Sequence, residues 1–159
     1  MEAIFMKHTF QMNLDWTGGR NDVGTIEAER LKTQISIPPE MDGPGVGTNP
    51  DEMLLGAAAT CYIITLAAML GRSDLAHQGI TIDAEGIVDV TNGVFTYETI
   101  RYKTVINVKA DATDRDITLV ERIAKKAKDG CMISRALAGN VTFELDTTVN
   151  RSDTTVSSL

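Results

Sequence analysis

Two cysteines, Cys61 and Cys131, and an arginine in a glycine turn, Arg20, are the side chains of this sequence best suited to chemistry. A thiolate is a strong nucleophile, but an unperturbed thiol with a pKa of about 8.5 is mostly protonated at neutral pH. Cys61 lies within an uncharged, Ala-rich stretch from Met53 to Gly71, where burial raises a thiol pKa further. A working thiolate there needs a cation beside the sulfur, and Arg20 of the Gly18-Gly19-Arg20 turn is the candidate. Asp51 or Glu52 can hold that guanidinium through a bidentate contact. Each residue also has a plainer reading. Arg20 suits an ordinary polar turn, Asp51 and Glu52 complement a helix dipole, and free cysteines are among the most buried residue types.

Other chemistries find less support. His8 and His77 stand at strand ends and share no metal-ligand spacing with the cysteines, so no metal is expected. There is no Gly-x-Ser-x-Gly elbow for a serine hydrolase. Gly43-Pro44-Gly45-Val46-Gly47 follows a loop rather than a strand and lacks a Lys-Ser/Thr pair, so it is no phosphate loop. A net charge of −7 argues against nucleic acid, since Lys125, Lys126 and Lys128 sit beside Glu121 and Arg122 on a solvated helix face. Met53–Gly71 approaches the length of a membrane span, but Gly56, Thr60 and Thr65 interrupt it and no positive cluster flanks it; a buried central helix is expected. Met1-Glu2 opens on no apolar signal segment, which leads to an expected cytoplasmic location, with Met6 an alternative start. Stable structural disulfides are uncommon in that compartment.

The elements that would position these residues follow from periodicity. Strands are predicted over His8–Trp16, Val23–Ala28 and Leu31–Ile37, as an antiparallel meander. Asn49-Pro50-Asp51-Glu52 starts a helix, with Asn as cap and Pro first, that runs to Arg72 and is apolar on every side. His77–Val90 and Val94–Ala110 form a long hairpin across Thr91-Asn92-Gly93. Asp116–Lys128 is an amphipathic helix closed by Gly130 as a left-handed cap, and Asn140–Val149 is a last strand. The fold class is α+β: antiparallel sheets wrapped around a buried central helix. One domain spans residues 8–149, between an N-terminal extension (1–7) and a flexible tail (150–159). Aromatics are only 5% of the chain, a thin core that would gain from a partner subunit.

The stretch from Gly47 through Asn49-Pro50-Asp51-Glu52 to Ala59-Thr60-Cys61 resembles the core motif of the OsmC/Ohr family, in which Asn/Ser-Pro-Glu opens the central helix that carries the peroxidatic cysteine. Cys131-Met132-Ile133-Ser134 resembles the second motif, Cys-Pro-x-Ser, which carries the resolving cysteine. Gly18-Gly19-Arg20 is similar to the glycine-flanked arginine of the Ohr branch. Two positions depart from the pattern: Asp51 stands where the family has Glu, with Glu52 next to it, and Met132 stands where the family has Pro. The resemblance implies an intertwined homodimer with active sites at the subunit interface. It also implies a thiol peroxidase in which Cys61 becomes a sulfenic acid, Cys131 closes a disulfide on it, and an external dithiol, lipoyl-type, reduces the pair. Met53, Leu54 and Met69 would favour organic hydroperoxides. The competing readings are a redox-inert dimer that binds a small apolar ligand, and a thiol redox sensor.

Overall fold

A computed structural model describes residues 5–75 and 77–152; the expected start at Met1 and the tail from residue 153 lie outside the described residues. Contacts within the chain divide it into two compact units, Met1–Met53 and Leu54–Leu159, where the sequence reads as a single domain.

The first unit is a three-stranded antiparallel sheet of β1 (Asn13–Asp15), β2 (Gly24–Glu27) and β3 (Lys32–Ile35), in that order. Both β1 and β3 are shorter than predicted. Asn13 pairs with Glu27, the last residue of β2, so residues 8–12 have no strand opposite them. β3 gives way at Ser36, whose hydroxyl bonds both the N–H and the carbonyl of Val46 at 2.8 Å, tying the glycine-rich loop back to the sheet. An unexpected 3-10 turn, Pro39–Met41, interrupts that loop. The apolar side chains of β1 and its approach point outward, with Phe10 93% and Leu14 59% exposed.

Helix α1 (Pro50–Arg72) starts where its sequence says it should. The Asn49 side chain accepts the Glu52 N–H at 2.9 Å, and Asp51 and Glu52 lie in the first turn. The helix is long and apolar enough to cross a membrane by length and composition. Its packing shows a single stripe at i, i+4 spacing, Ala58, Tyr62, Leu66 and Leu70, all fully buried. The predicted enclosure on every side is therefore corrected: Ala57, Thr60, Ile64 and Ala68 are exposed in the single chain, because the neighbouring elements cover only one stripe.

The second unit holds the core. β4 (His77–Thr91) and β5 (Val94–Val108) form the expected hairpin, with Asn92 and Gly93 at φ 52° and 75°, the left-handed pair of a tight I′-like turn. β6 (Thr142–Arg151) adds to the other side of β5, but parallel to it, which corrects the all-antiparallel expectation. Arg101 of β5 fixes that register on the outer face, with Nε 2.6 Å from Glu144 of β6 and an η nitrogen 3.0 Å from Glu85 of β4. The inner face presents Ile100, Tyr102, Thr104, Ile106 and Val108, against which α1 and the next helix pack.

That helix, α2 (Asp114–Gly130), begins two residues earlier than predicted because Thr113 and Asp116 form a reciprocal capping box. Its inward side chains are Val120, Ile123, Ala124 and Ala127. Gly130 is the last helical residue, not a left-handed cap. Cys131 takes an extended conformation (φ −67°, ψ 148°) and closes α2 through its N–H to Ala127 O at 3.0 Å. The reason is that a further helix, α3 (Met132–Leu137), starts at once, with Cys131 as its N-cap. β6 then extends to Arg151, whose guanidinium donates to Ala112 O and Asp114, so the strand includes two residues that the sequence places in the tail.

Candidate active site

Both cysteines lie in the second unit, and both are free thiols. Cys61 occupies the middle of α1, next to the buried stripe, and is half-buried. Cys131 sits at the junction of α2 and α3 and is 1% exposed. The fold brings them together across 70 positions of sequence: the Cys131 side chain lies close enough to the Cys61 sulfur to lower its pKa.

The junction explains the chemistry of the pair. A helix N-terminus leaves its first N–H groups without intrahelical partners. In α3, Cys131 supplies its sulfur in place of the usual capping oxygen, accepting the Ser134 N–H at 3.4 Å, with the Ser134 hydroxyl 3.0 Å away. The N–H groups of Met132 and Ile133, the two residues before Ser134, lie near enough to the Cys61 sulfur to lower its pKa. Burial pushes the Cys61 thiol up, but the Ile133 N–H, the Cys131 side chain, the Met132 N–H and the Thr65 hydroxyl together outweigh it, and the pKa falls below the ordinary cysteine value. Thr65 contributes because it stands one turn along α1. A half-exposed thiol of lowered pKa beside a second thiol has the arrangement of a nucleophile with a resolving partner.

Beneath this pair lies a buried aromatic layer. Tyr62, which follows Cys61 in the chain, stacks on Tyr102 of β5 with ring centroids 4.8 Å apart and planes 13° from parallel. The Thr104 hydroxyl donates to Tyr62 Oη at 3.4 Å.

The remaining predicted residues belong to the first unit. Arg20 donates to the carbonyls of Met41 (2.7 Å) and Asp42 (3.3 Å) and to Asn21 (3.0 Å), which anchors the Gly-Gly-Arg turn on the 3-10 segment. Glu52 accepts the Thr48 hydroxyl at 2.8 Å in the first turn of α1. Asp51 stands beside it in the same turn, half-buried. Reasoning from sequence did not find the Met132 and Ile133 amides or Thr65. The i+4 spacing of Thr65 was a usable signal, and so was Ser134, three residues after an unconventional cap.

Comparison with known proteins identifies the family and the fold. The family profile described as OsmC-like protein matches residues 43–146, which include both cysteines. The chain is 57% identical over 142 residues to an uncharacterized protein of Bacillus subtilis (strain 168), YmaD, covering 89% of this chain and 95% of that one. It is 30% identical over 98 residues to the Escherichia coli (strain K12) protein named peroxiredoxin OsmC, covering 62% of this chain and 66% of that one. Among solved structures, a Legionella pneumophila protein described as an organic hydroperoxide resistance protein OsmC superposes with a TM-score of 0.69 at 22% identity, covering 89% of this chain and 98% of that one.

Proposed function

The chain belongs to the OsmC family, and from that premise we propose that it is a thiol-dependent peroxidase that reduces organic hydroperoxides at Cys61. The observation that carries the proposal is a half-buried Cys61 thiol, close to Cys131, whose pKa is lowered by the Ile133 and Met132 amides and the Cys131 side chain against the effect of burial. The Cys61 thiolate attacks the terminal peroxide oxygen. An S–O bond forms, the O–O bond breaks, and the alkoxide leaves as an alcohol after taking a proton. The Cys131 thiol then condenses with the Cys61 sulfenic acid, giving a disulfide and water. An external dithiol of the lipoyl type restores both thiols by exchange.

Arg20 is assigned to the thiolate of the working assembly, oriented by Asp51 or Glu52, and that assembly is a homodimer. Support for the dimer comes from the apolar surface that a single chain leaves open, Phe10 and Leu14 in the first unit and Ile64 on α1. The test is consumption of cumene hydroperoxide with dihydrolipoamide as reductant. Turnover is expected for the wild type and its loss in Cys61→Ser; equal consumption by the two proteins refutes the reading. A disulfide that forms without turnover by any dithiol would point instead to a redox sensor.

A further inference from the structure

The two sulfurs of the site differ in access and in hydrogen bonding. Cys131 is 1% exposed already in the single chain, and a second subunit could only cover it further. Cys61 is half-buried, and the peroxidase reading requires a small molecule to reach it. At Cys131 the sulfur caps α3. It accepts the Ser134 N–H at 3.4 Å and lies 3.0 Å from the Ser134 hydroxyl, and Ser134 is itself only 6% exposed. A thiolate sulfur accepts hydrogen bonds more strongly than a disulfide sulfur does, because it carries the charge. Both Ser134 contacts therefore strengthen as Cys131 departs from a disulfide. Thiol–disulfide exchange depends on which sulfur can be reached and on how well the other one leaves. Here the two conditions favour the same direction.

We propose that the external dithiol reopens the disulfide by attacking Cys61, not Cys131, and that Ser134 is the positioning residue that receives the departing Cys131 sulfur. The inference rests on the peroxidase reading for the physiological disulfide and its reductant, but not for its test. The first thiolate of the dithiol forms an S–S bond to Cys61, and the Cys61–Cys131 bond breaks. The electron pair of that bond passes to the Cys131 sulfur, which takes up the proton that the attacking thiol released. The second thiol then attacks the dithiol's own sulfur in the mixed disulfide, which closes a cyclic disulfide and frees Cys61. The protein gains two electrons and the dithiol loses two. Departure of Cys131 also restores the capping sulfur of α3.

Diamide closes the disulfide without peroxide and so provides the test. The oxidised full-length protein is mixed with 2-mercaptoethanol, a monothiol that cannot complete the cycle, then quenched with N-ethylmaleimide and peptide-mapped. The mercaptoethanol adduct should lie on Cys61 and the maleimide on Cys131. An adduct on Cys131, equal adducts on both, or a protein in which diamide closes no Cys61–Cys131 bond overturns the proposal. The role of Ser134 is read from single-turnover reduction by dihydrolipoamide, in which Ser134→Ala should slow opening of the disulfide about fivefold. The same substitution should not slow reduction of a Cys61–thionitrobenzoate adduct made in a Cys131→Ser background, where the leaving group is no longer Cys131. Equal slowing of both reactions, or no slowing of the first, removes Ser134 from the step and overturns its assignment. If hydroperoxide fails to oxidise Cys61 in the wild type, the peroxidase reading falls, and the disulfide made with diamide still decides which sulfur is attacked.

Discussion

Met132→Pro removes one hydrogen from the site and little else. Met132 is the first residue of α3, a position where proline is favoured because its N–H has no intrahelical role. The preceding Cys131 has ψ 148°, the extended conformation that a following proline requires. The Met132 side chain is 63% exposed, so no core packing is lost. What disappears is the N–H that helps to lower the Cys61 pKa. A hydrogen bond to a charged group is worth about 1.5–3 kcal/mol. Water reaches a half-buried thiol and replaces part of that, leaving ~1 kcal/mol, or roughly a fivefold loss of reactive thiolate near neutral pH. The assay is the iodoacetamide alkylation rate of Cys61 across pH in a Cys131→Ser background. The wild-type arm should show a midpoint below that of a free cysteine, and the proline variant a curve displaced to higher pH. Coincident curves would refute the claim that this amide stabilises the thiolate.

Other parts of the molecule give independent checks. Ser134→Ala removes the hydroxyl 3.0 Å from Cys131 Sγ and should slow closure of the disulfide by about fivefold while leaving Cys61 alkylation unchanged; stopped-flow separation of the two steps decides it. Asp116 is held below the usual carboxylate range by the Thr113 hydroxyl and N–H, so its stabilising effect is complete above the unfolded pKa of about 3.9 and lost as pH falls through the folded value. Asp116→Asn should therefore lower Tm at pH 6, by an amount that fades in acid; a difference undiminished below about pH 3 contradicts this. Leu66→Ala empties a fully buried position of the α1 stripe and should cost about 2–5 kcal/mol in urea unfolding with an unchanged m-value, whereas a cost below about 1 kcal/mol would mean that α1 is not a core helix.

What the sequence made legible were features with local causes. Asn49-Pro50 starts α1 because the cap and the proline act within one turn, and Asn92-Gly93 turns the hairpin because both residues tolerate positive φ. Cys61 stood out because a thiol in an uncharged helix invites a chemical question. The parts that stayed hidden depend on distant partners or on backbone atoms. No alternation in Thr142–Arg151 tells whether β6 runs parallel or antiparallel to β5, since both place the same side chains inward. α3 is hidden in the sequence because sulfur is not a usual capping atom, and with it the two amides that lower the Cys61 pKa. The exposed sides of α1 carry apolar residues that in sequence look like core, since composition cannot say whether the covering surface belongs to the same chain.

The central claim is that Cys61 and Cys131 form one reactive unit. The most direct measurement is peptide mapping by mass spectrometry after one equivalent of cumene hydroperoxide, without added reductant. An intramolecular Cys61–Cys131 link, absent from both Cys61→Ser and Cys131→Ser, is the predicted result. Two unmodified thiols, or Cys61 carried on to a sulfinic acid while Cys131 stays reduced, would contradict it.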